Sequence, residues 1–418
     1  MRLMVYSHDT FGLGNIRRML AICTNLLDTI PNLSILLVSG SPMLQSFRLP
    51  QGLDYIKLPC VNRGESGQLS AKYLSTDINE ILQLRADLIL SAALNFKPDL
   101  FLVDKKPEGL RFELTDTLNY LKTYLPQTKI VLLLRDILDH PNQTIQEWQE
   151  NRYYDAIELF YDRVLVVGMP EVFDLCQEYN FPDAVAHKVQ YCGYIRKEPG
   201  LKSRHTLRQE LALQPDESLV LITPGGGEDG YRLVETYLNG FDQIDVCNPK
   251  IRSLIICGSE MPVQQRERCY QMATGNPRVQ VLEFTDDLMS YIEAADLVVC
   301  MSGYNTVSEV LSLAKPAIVV PRIKPAQEQL IRAERMAAMG LLHIIHPHDL
   351  SSENLSQAVL NQLSCDSFKP IAPKLDLEGL PRIAQYISNL LFHPLASLNS
   401  TAITNYQSAG SFVLSGRF

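Results

Sequence analysis

The loop Ser7-His-Asp-Thr-Phe-Gly-Leu-Gly-Asn15 joins a short apolar run to a helical period. Gly12 and Gly14 let a ligand approach the backbone, and the helix start behind them, at Asn15, offers free N–H groups and a positive dipole end. His8 and Asp9 in this loop, and Asp104 at the end of the run LFLVD, can take a proton from a reacting hydroxyl. Each serves equally well as a cap or turn residue. The loop has the spacing G-x-G, and Arg17 stands three places after Gly14. The dinucleotide fingerprint is therefore incomplete, and its acidic ribose partner about 20 residues on is missing. A tight strand-to-helix turn explains the loop equally well.

A second stretch runs from Phe284-Thr-Asp-Asp-Leu to Cys300-Met-Ser-Gly-Tyr-Asn-Thr-Val-Ser-Glu-Val-Leu311. Ser302 and Gly303 stand where a run ends and a helix begins. Free N–H groups there accept a diphosphate with no basic side chain. Glu309, two turns further on and off the apolar stripe, can pair with two vicinal hydroxyls, as a ribose presents. A cap at Ser302 and a solvated Glu309 are the plainer alternatives. Beyond the next apolar run, Gln327, Glu328 and Gln329 offer the amides and carboxylate that sort sugar hydroxyls. Gly225, Gly226 and Gly227 form a loop open to a phosphate or sugar. Asp286-Asp287 reads as a helix-capping pair, so no acidic pair is placed to hold a metal.

The elements that must position these residues repeat one pattern: apolar run, turn, helical period. Leu3–Ser7, Ile35–Ser39, Leu100–Asp104, Ile130–Arg135, Val164–Gly168 and Val189–Cys192 are continuous apolar runs. Such runs, alternating with helices, predict parallel strands covered on both faces. The run of Ile16, Met19, Leu20, Cys23 and Leu27 has helical spacing. Residues 1–195 thus read as one Rossmann-like doubly wound domain. Residues 196–217, charged and with two prolines, read as a linker and domain entry. The pattern restarts at Leu219–Thr223 and continues through Ser253–Cys257, Val279–Phe284, Leu297–Met301 and Ala317–Val320. Residues 218–375 read as a second domain of the same kind, 376–392 as a closing helix and 393–418 as a flexible tail. Segment 68–94 reads as a helix apolar enough to touch a membrane or to pack on the sheet. The default site is a cleft off the carboxyl ends of both sets of strands.

The 418 residues carry 38 Lys+Arg and 47 Asp+Glu, a net charge of −9. That balance argues against general nucleic-acid binding, which needs a basic face. The nine cysteines are odd in number and form no C-x-x-C pair. They read as reduced, buried thiols of a cytoplasmic protein. Neither a signal-peptide core nor a run of about 18 apolar residues is present.

The block FTDDL…ADLVVCMSGYNTVSEVLSLAKPAIVVP…EQLIRAERMAAMGL resembles the C-terminal half of family 28 glycosyltransferases. The match covers most of residues 1–392, strongly in the second half and weakly in the first. With its opening SHDxxGLG-N-x-R-R, the whole chain resembles an uncharacterised branch of predicted glycosyltransferases. The resemblance implies a GT-B architecture, two Rossmann-like domains facing across a cleft. It implies an inverting, metal-independent transfer, without cofactor, from a nucleotide-sugar donor carrying UDP. Phe284 and Thr285 would line the base, Ser302, Gly303, Tyr304 and Asn305 would hold the diphosphate, and Glu309 the ribose. Glu328 and Gln329 would contact the donor sugar. Two positions depart from the family pattern. Glu328 stands where a glutamine is usual, which opens the sugar's identity, and Asn15 stands where a histidine is usual. Asn cannot serve as a base at neutral pH, so His8, Asp9 or Asp104 must. The acceptor stays open between a lipid-linked molecule and a saccharide, with contact to the inner face of the membrane. An epimerase or hydrolase on the same fold, and a non-catalytic nucleotide-sugar-binding protein, are the alternatives.

Overall fold

A computed structural model describes residues 1–7, 14–63, 68–364 and 375–392 of the chain. His8, Asp9, Gly12 and the tail from 393 lie outside these residues.

Among the described residues, nine strands lie in the first part of the chain: β1 (Arg2–Ser7), β2 (Ser34–Ser39), β3 (Leu53–Lys57), β4 (Val61–Arg63), β5 (Leu69–Ala71), β6 (Leu100–Asp104), β7 (Lys129–Arg135), β8 (Arg163–Val167) and β9 (Val189–Tyr191). Seven form a parallel sheet in the order β3-β2-β1-β6-β7-β8-β9, and β4 and β5 pair as an antiparallel hairpin. The strand order reverses between β1 and β6, the kind of position at which ligands enter such sheets. The second sheet holds β10 (Ser218–Thr223), β11 (Ile251–Ile256), β12 (Val279–Leu282), β13 (Leu297–Cys300), β14 (Ala317–Val319) and β15 (His343–Ile344). It is parallel, in the order β12-β11-β10-β13-β14-β15, and reverses between β10 and β13.

The central strands are buried on both faces: β6 and β13 expose no residue. That is why they read as unbroken apolar runs. Helix Gly14–Thr29 turns Ile16, Met19, Ile22, Cys23 and Leu26 onto the first sheet. Each such side chain contributes about 1.5–3 kcal/mol when fully buried. Helix Arg204–Glu210, inside the charged segment, docks on the second domain. Arg204 and Arg208 bind Asp296 and the carbonyls that end helix Leu288–Ala294.

Segment 68–94 corrects one expectation. Only Ile78–Phe96 is helical, capped by the Asp77 carboxylate on the Asn79 N–H at 2.8 Å. Residues 69–71 pair instead with β4. Ile81, Ile89, Ala92 and Ala93 of the helix are buried against the protein. No helix among the described residues is long and apolar enough to cross a membrane.

The chain passes between the sheets twice. Residues 194–196 lead into the second domain, and 376–379 lead back to helix Gly379–Phe392, which packs on helix Gly14–Thr29. The two passages bond to each other: Tyr194 N–H to Asp376 O at 2.7 Å, Arg196 N–H to Leu377 O at 3.2 Å, and Gly379 N–H to Tyr194 O at 2.9 Å.

Candidate functional site

Each strand of the second sheet from β10 to β14 ends at one cavity of about 590 Å³, and the first domain closes its far side. Gly225 and Gly227 of the loop after β10 adopt φ 83° and 95°. A side chain at Gly227 would strike the Cys257 carbonyl at 2.3 Å, so glycine alone fits this loop against its neighbour. Gly303 begins helix Tyr304–Ser312 from an extended backbone, and a side chain there would meet open space. The first amides of that helix have no partner within it and face the cavity as an anion-binding end.

Asn15, Gly225, Gly226, Gly227, Phe284, Thr285, Gly303, Tyr304, Asn305, Glu309, Glu328 and Gln329 all line this cavity. Gly14 is the first residue of its helix. Ser302 is a correction. Its side chain is wholly buried, and its hydroxyl donates to the Gln329 carbonyl at 2.6 Å. Arg332 in turn donates to the Ser302 carbonyl at 2.9 Å. The Ser302 hydroxyl ties two helix starts together and is spent before any phosphate arrives. Asp104 is a second correction. It is fully buried, does not line the cavity, and accepts from Arg18 at 2.6 Å. A buried carboxylate bonded to a guanidinium and away from the cavity is not placed to take a proton from an acceptor hydroxyl. Arg18 is 4% exposed and lines the cavity beside Arg135.

Charge within the site is unevenly matched. Glu309 lines the cavity, and burial pushes its carboxyl above its ordinary value against the opposing charges of Lys197 and Arg17. Lys197 reaches the Asn305 side-chain oxygen at 3.1 Å. Glu328 is bound to Arg322 at 3.0 Å, and Arg322 extends toward Asp229 at 3.4 Å. Burial opposes the Glu328 charge, but Arg322, Arg332 and Arg135 outweigh it and hold the carboxyl below its ordinary value. The Gln329 side-chain oxygen accepts the Arg322 N–H at 3.3 Å. Asp287 caps helix Leu288–Ala294, while its neighbour Asp286 lines the cavity.

Residues that the sequence did not single out fasten the first domain at its exit and tie it to the second. The Asp136 carboxylate bonds the Tyr194 hydroxyl, and burial pushes its carboxyl up. Asp139, beyond β7, accepts from the Gln327 N–H at 2.8 Å and so caps helix Glu328–Ala338 from the other domain. Asp139→Ala is expected to cost ~1 kcal/mol, as loss of a helix cap does. Thermal melting of the two proteins side by side measures this, and equal midpoints would show that the contact contributes nothing.

Residues 221–385 match the family model of the glycosyltransferase family 28 C-terminal domain. An uncharacterized glycosyltransferase of Methanopyrus kandleri is 26% identical over 231 residues, 54% of this chain and 60% of that protein. The UDP-N-acetylglucosamine–N-acetylmuramyl-(pentapeptide) pyrophosphoryl-undecaprenol N-acetylglucosamine transferase of Histophilus somni is 36% identical over 113 residues, 27% of this chain and 31% of that enzyme. The chain thus spans less than two thirds of these relatives' lengths. Among solved structures, MurG of Acinetobacter baumannii superposes with a TM-score of 0.57 at 17% identity, covering 93% of this chain and 99% of its own. The UDP-GlcNAc 2-epimerase of Methanocaldococcus jannaschii superposes with a TM-score of 0.61 at 12% identity, covering 93% and 99%. At such identities the superpositions speak for the fold alone. Two facing parallel sheets, a ligand-sized cavity between them and the superpositions give this chain the GT-B fold, with residues 221–385 similar to the glycosyltransferase family 28 C-terminal domain.

Proposed function

We propose that the protein is an inverting, metal-independent glycosyltransferase that moves a sugar from a UDP donor to an acceptor hydroxyl. The observation that carries this reading is the cavity itself. It unites a helix start, a carboxylate one helix face away and a carboxylate–amide pair, Glu328 and Gln329, across from the first domain. Phe284 and Thr285 would take the uracil, Gly303 to Asn305 the diphosphate, Glu309 the ribose hydroxyls, and Glu328 and Gln329 the sugar. The acceptor oxygen attacks the anomeric carbon, the bond to the diphosphate breaks, and the diphosphate leaves with the electron pair. Backbone N–H groups stabilise that departing charge without reorganising. The acceptor's proton is assigned to His8 or Asp9, since Asp104 is held by Arg18. The acceptor would be a lipid-linked molecule or a saccharide, met in the cytoplasm or at the membrane's inner face. The named activity of the Histophilus somni relative supports a UDP-sugar donor.

The superposed epimerase keeps a second reading in view, because fold does not fix reaction. Incubation with UDP-glucose and UDP-N-acetylglucosamine, with and without acceptors, separates the two. Release of UDP only with an acceptor is expected. UDP without acceptor would mean hydrolysis, an isomerised sugar would mean epimerisation, and binding alone would mean a sensor.

A further inference from the structure

The cavity wall carries more positive charge than a single helix start needs. Three guanidinium groups surround the Tyr304 ring: Arg18 at 6.0 Å, Arg135 at 5.8 Å and Arg332 at 5.7 Å from its centroid. Arg18 and Arg135 come from the first domain, and Arg332 from the second. Arg18 and Arg332 are almost wholly buried, yet Arg18 Nε and Arg332 Nε and Nη2 have no partner among the described residues. The Tyr304 hydroxyl is likewise buried without a partner. The Arg135 side chain makes no hydrogen bond or ion pair among the described residues, although Arg135 lines the cavity.

The nearby carboxylates are each engaged, Asp104 and Glu328 through one oxygen, while Asp104 Oδ2 and Glu328 Oε2 have no partner among the described residues. Asp104 holds Arg18, Asp136 holds the Tyr194 hydroxyl, and Glu328 holds Arg322. The cations therefore face one another. Burial, then Arg18 and Arg332, push Arg135 down to about 10. Burial, then Arg135, push Lys105 at the end of β6 down to about 8. Buried donors left unbonded are costly, and clustered like charges add to that cost. A multivalent anion would relieve both, and planar guanidinium forks match phosphate oxygens.

We propose that Arg18 and Arg135, backed by Arg332, form a phosphoryl-binding site on the first-domain side of the cavity, facing the amides that start helix Tyr304–Ser312. The proposal rests on the glycosyltransferase reading only for the source of the phosphoryl group. That source is either the donor's diphosphate, clasped between the two domains as it leaves, or a phosphate ester on the acceptor. The first would give the first domain a share in stabilising the leaving group, and bond cleavage would then require both halves together.

Calorimetric titration of the full chain with pyrophosphate, UDP and uridine tests this, in the parent protein and in Arg135→Met and Arg135→Lys. Pyrophosphate is expected to bind the parent, and Arg135→Met to weaken it about tenfold or more, the loss of one charge-assisted contact. Arg135→Lys should restore part of that loss, and uridine affinity should not change. If UDP affinity falls in parallel and UDP excludes pyrophosphate, the donor's diphosphate is the ligand. If pyrophosphate still binds beside saturating UDP, with the same dependence on Arg135, the acceptor supplies the anion. Pyrophosphate binding that ignores Arg135 in both variants overturns the site. Pyrophosphate binding that depends on Arg135 without any UDP binding keeps the site and removes the UDP reading instead. Ligand-free Arg135→Met should melt no lower than the parent, because it removes a repelled charge. A lower melt would mean that Arg135 is a structural residue.

Discussion

Glu113→Gln should destabilise the first domain by about 3–5 kcal/mol, the cost of leaving one member of a buried ion pair uncompensated. Arg85 forks onto Glu113 through Nε at 2.6 Å and Nη2 at 2.7 Å, and both side chains are essentially inaccessible. The Tyr6 hydroxyl donates to the same carboxylate at 2.6 Å, and Arg85 Nη1 donates to the Pro59 carbonyl at 2.7 Å. The cluster thereby fastens helix Ile78–Phe96 and the segment before helix Thr115–Tyr124 to the tyrosine of β1. A glutamine keeps the volume but removes the negative charge, and its amide N–H₂ would confront an existing donor. Burial and then the Glu113 charge push the Tyr6 phenol well up, so Tyr6 cannot ionise to replace what is lost. The chain has one tryptophan, Trp148, buried beside Tyr154 and Phe181 of the first domain. Its fluorescence during urea unfolding reports this domain directly. A midpoint within error of the parent's would refute the assignment of the pair as a major support.

Glu309→Ala should weaken UDP binding by about 10- to 100-fold, since hydrogen bonds to a charged group contribute about 1.5–3 kcal/mol. The carboxylate is the form that accepts from two hydroxyls. Burial raises its pKa, so affinity should begin to fall at a pH above the ordinary glutamate value of 4.5 and keep falling as the pH drops. Glu309→Gln should lower affinity and flatten that acid limb. The ligand-free fold responds with the opposite sign. A carboxyl whose pKa is higher in the folded state binds more protons there than when unfolded. Its contribution to stability therefore falls as pH rises from 4.5 through the raised value. Glu309→Gln removes that loss and should melt slightly higher at neutral pH. Titrations of UDP across the acid range decide the matter: unchanged affinity in Glu309→Ala would end the ribose assignment.

What the residues disclose in advance follows from burial and from distance along the chain. Strands such as LFLVD and LVVC are covered on both faces, so their composition alone announces them. β3, LDYIK, is only part-buried and mixes charge with apolar residues, and the hairpin strands β4 and β5 have three residues each. None of these leaves a run to read. These cavity-lining residues were legible as a group because one turn after one strand delivers Gly303, Tyr304, Asn305 and Glu309 together. Ser302 misleads by one position, because consecutive residues at a strand end point to opposite faces and its hydroxyl turns into the protein. Arg135, Asp139 and Arg18 acquire meaning only when the second domain lies against them, through contacts 188 residues apart in the case of Asp139 and Gln327. No local period encodes such a meeting. The position of Arg135-Asp136 at the carboxyl end of an apolar strand was the one available hint.

The two passages between the sheets set the kinematics of the molecule. A single covalent thread would let one half swivel freely about the other. Two antiparallel threads laced by backbone hydrogen bonds, Tyr194 to Asp376 and Gly379 to Tyr194, behave as a strap that bends across its width and resists torsion. Such a strap favours opening and shutting over swivelling, and would return the opposing wall to the same register each time.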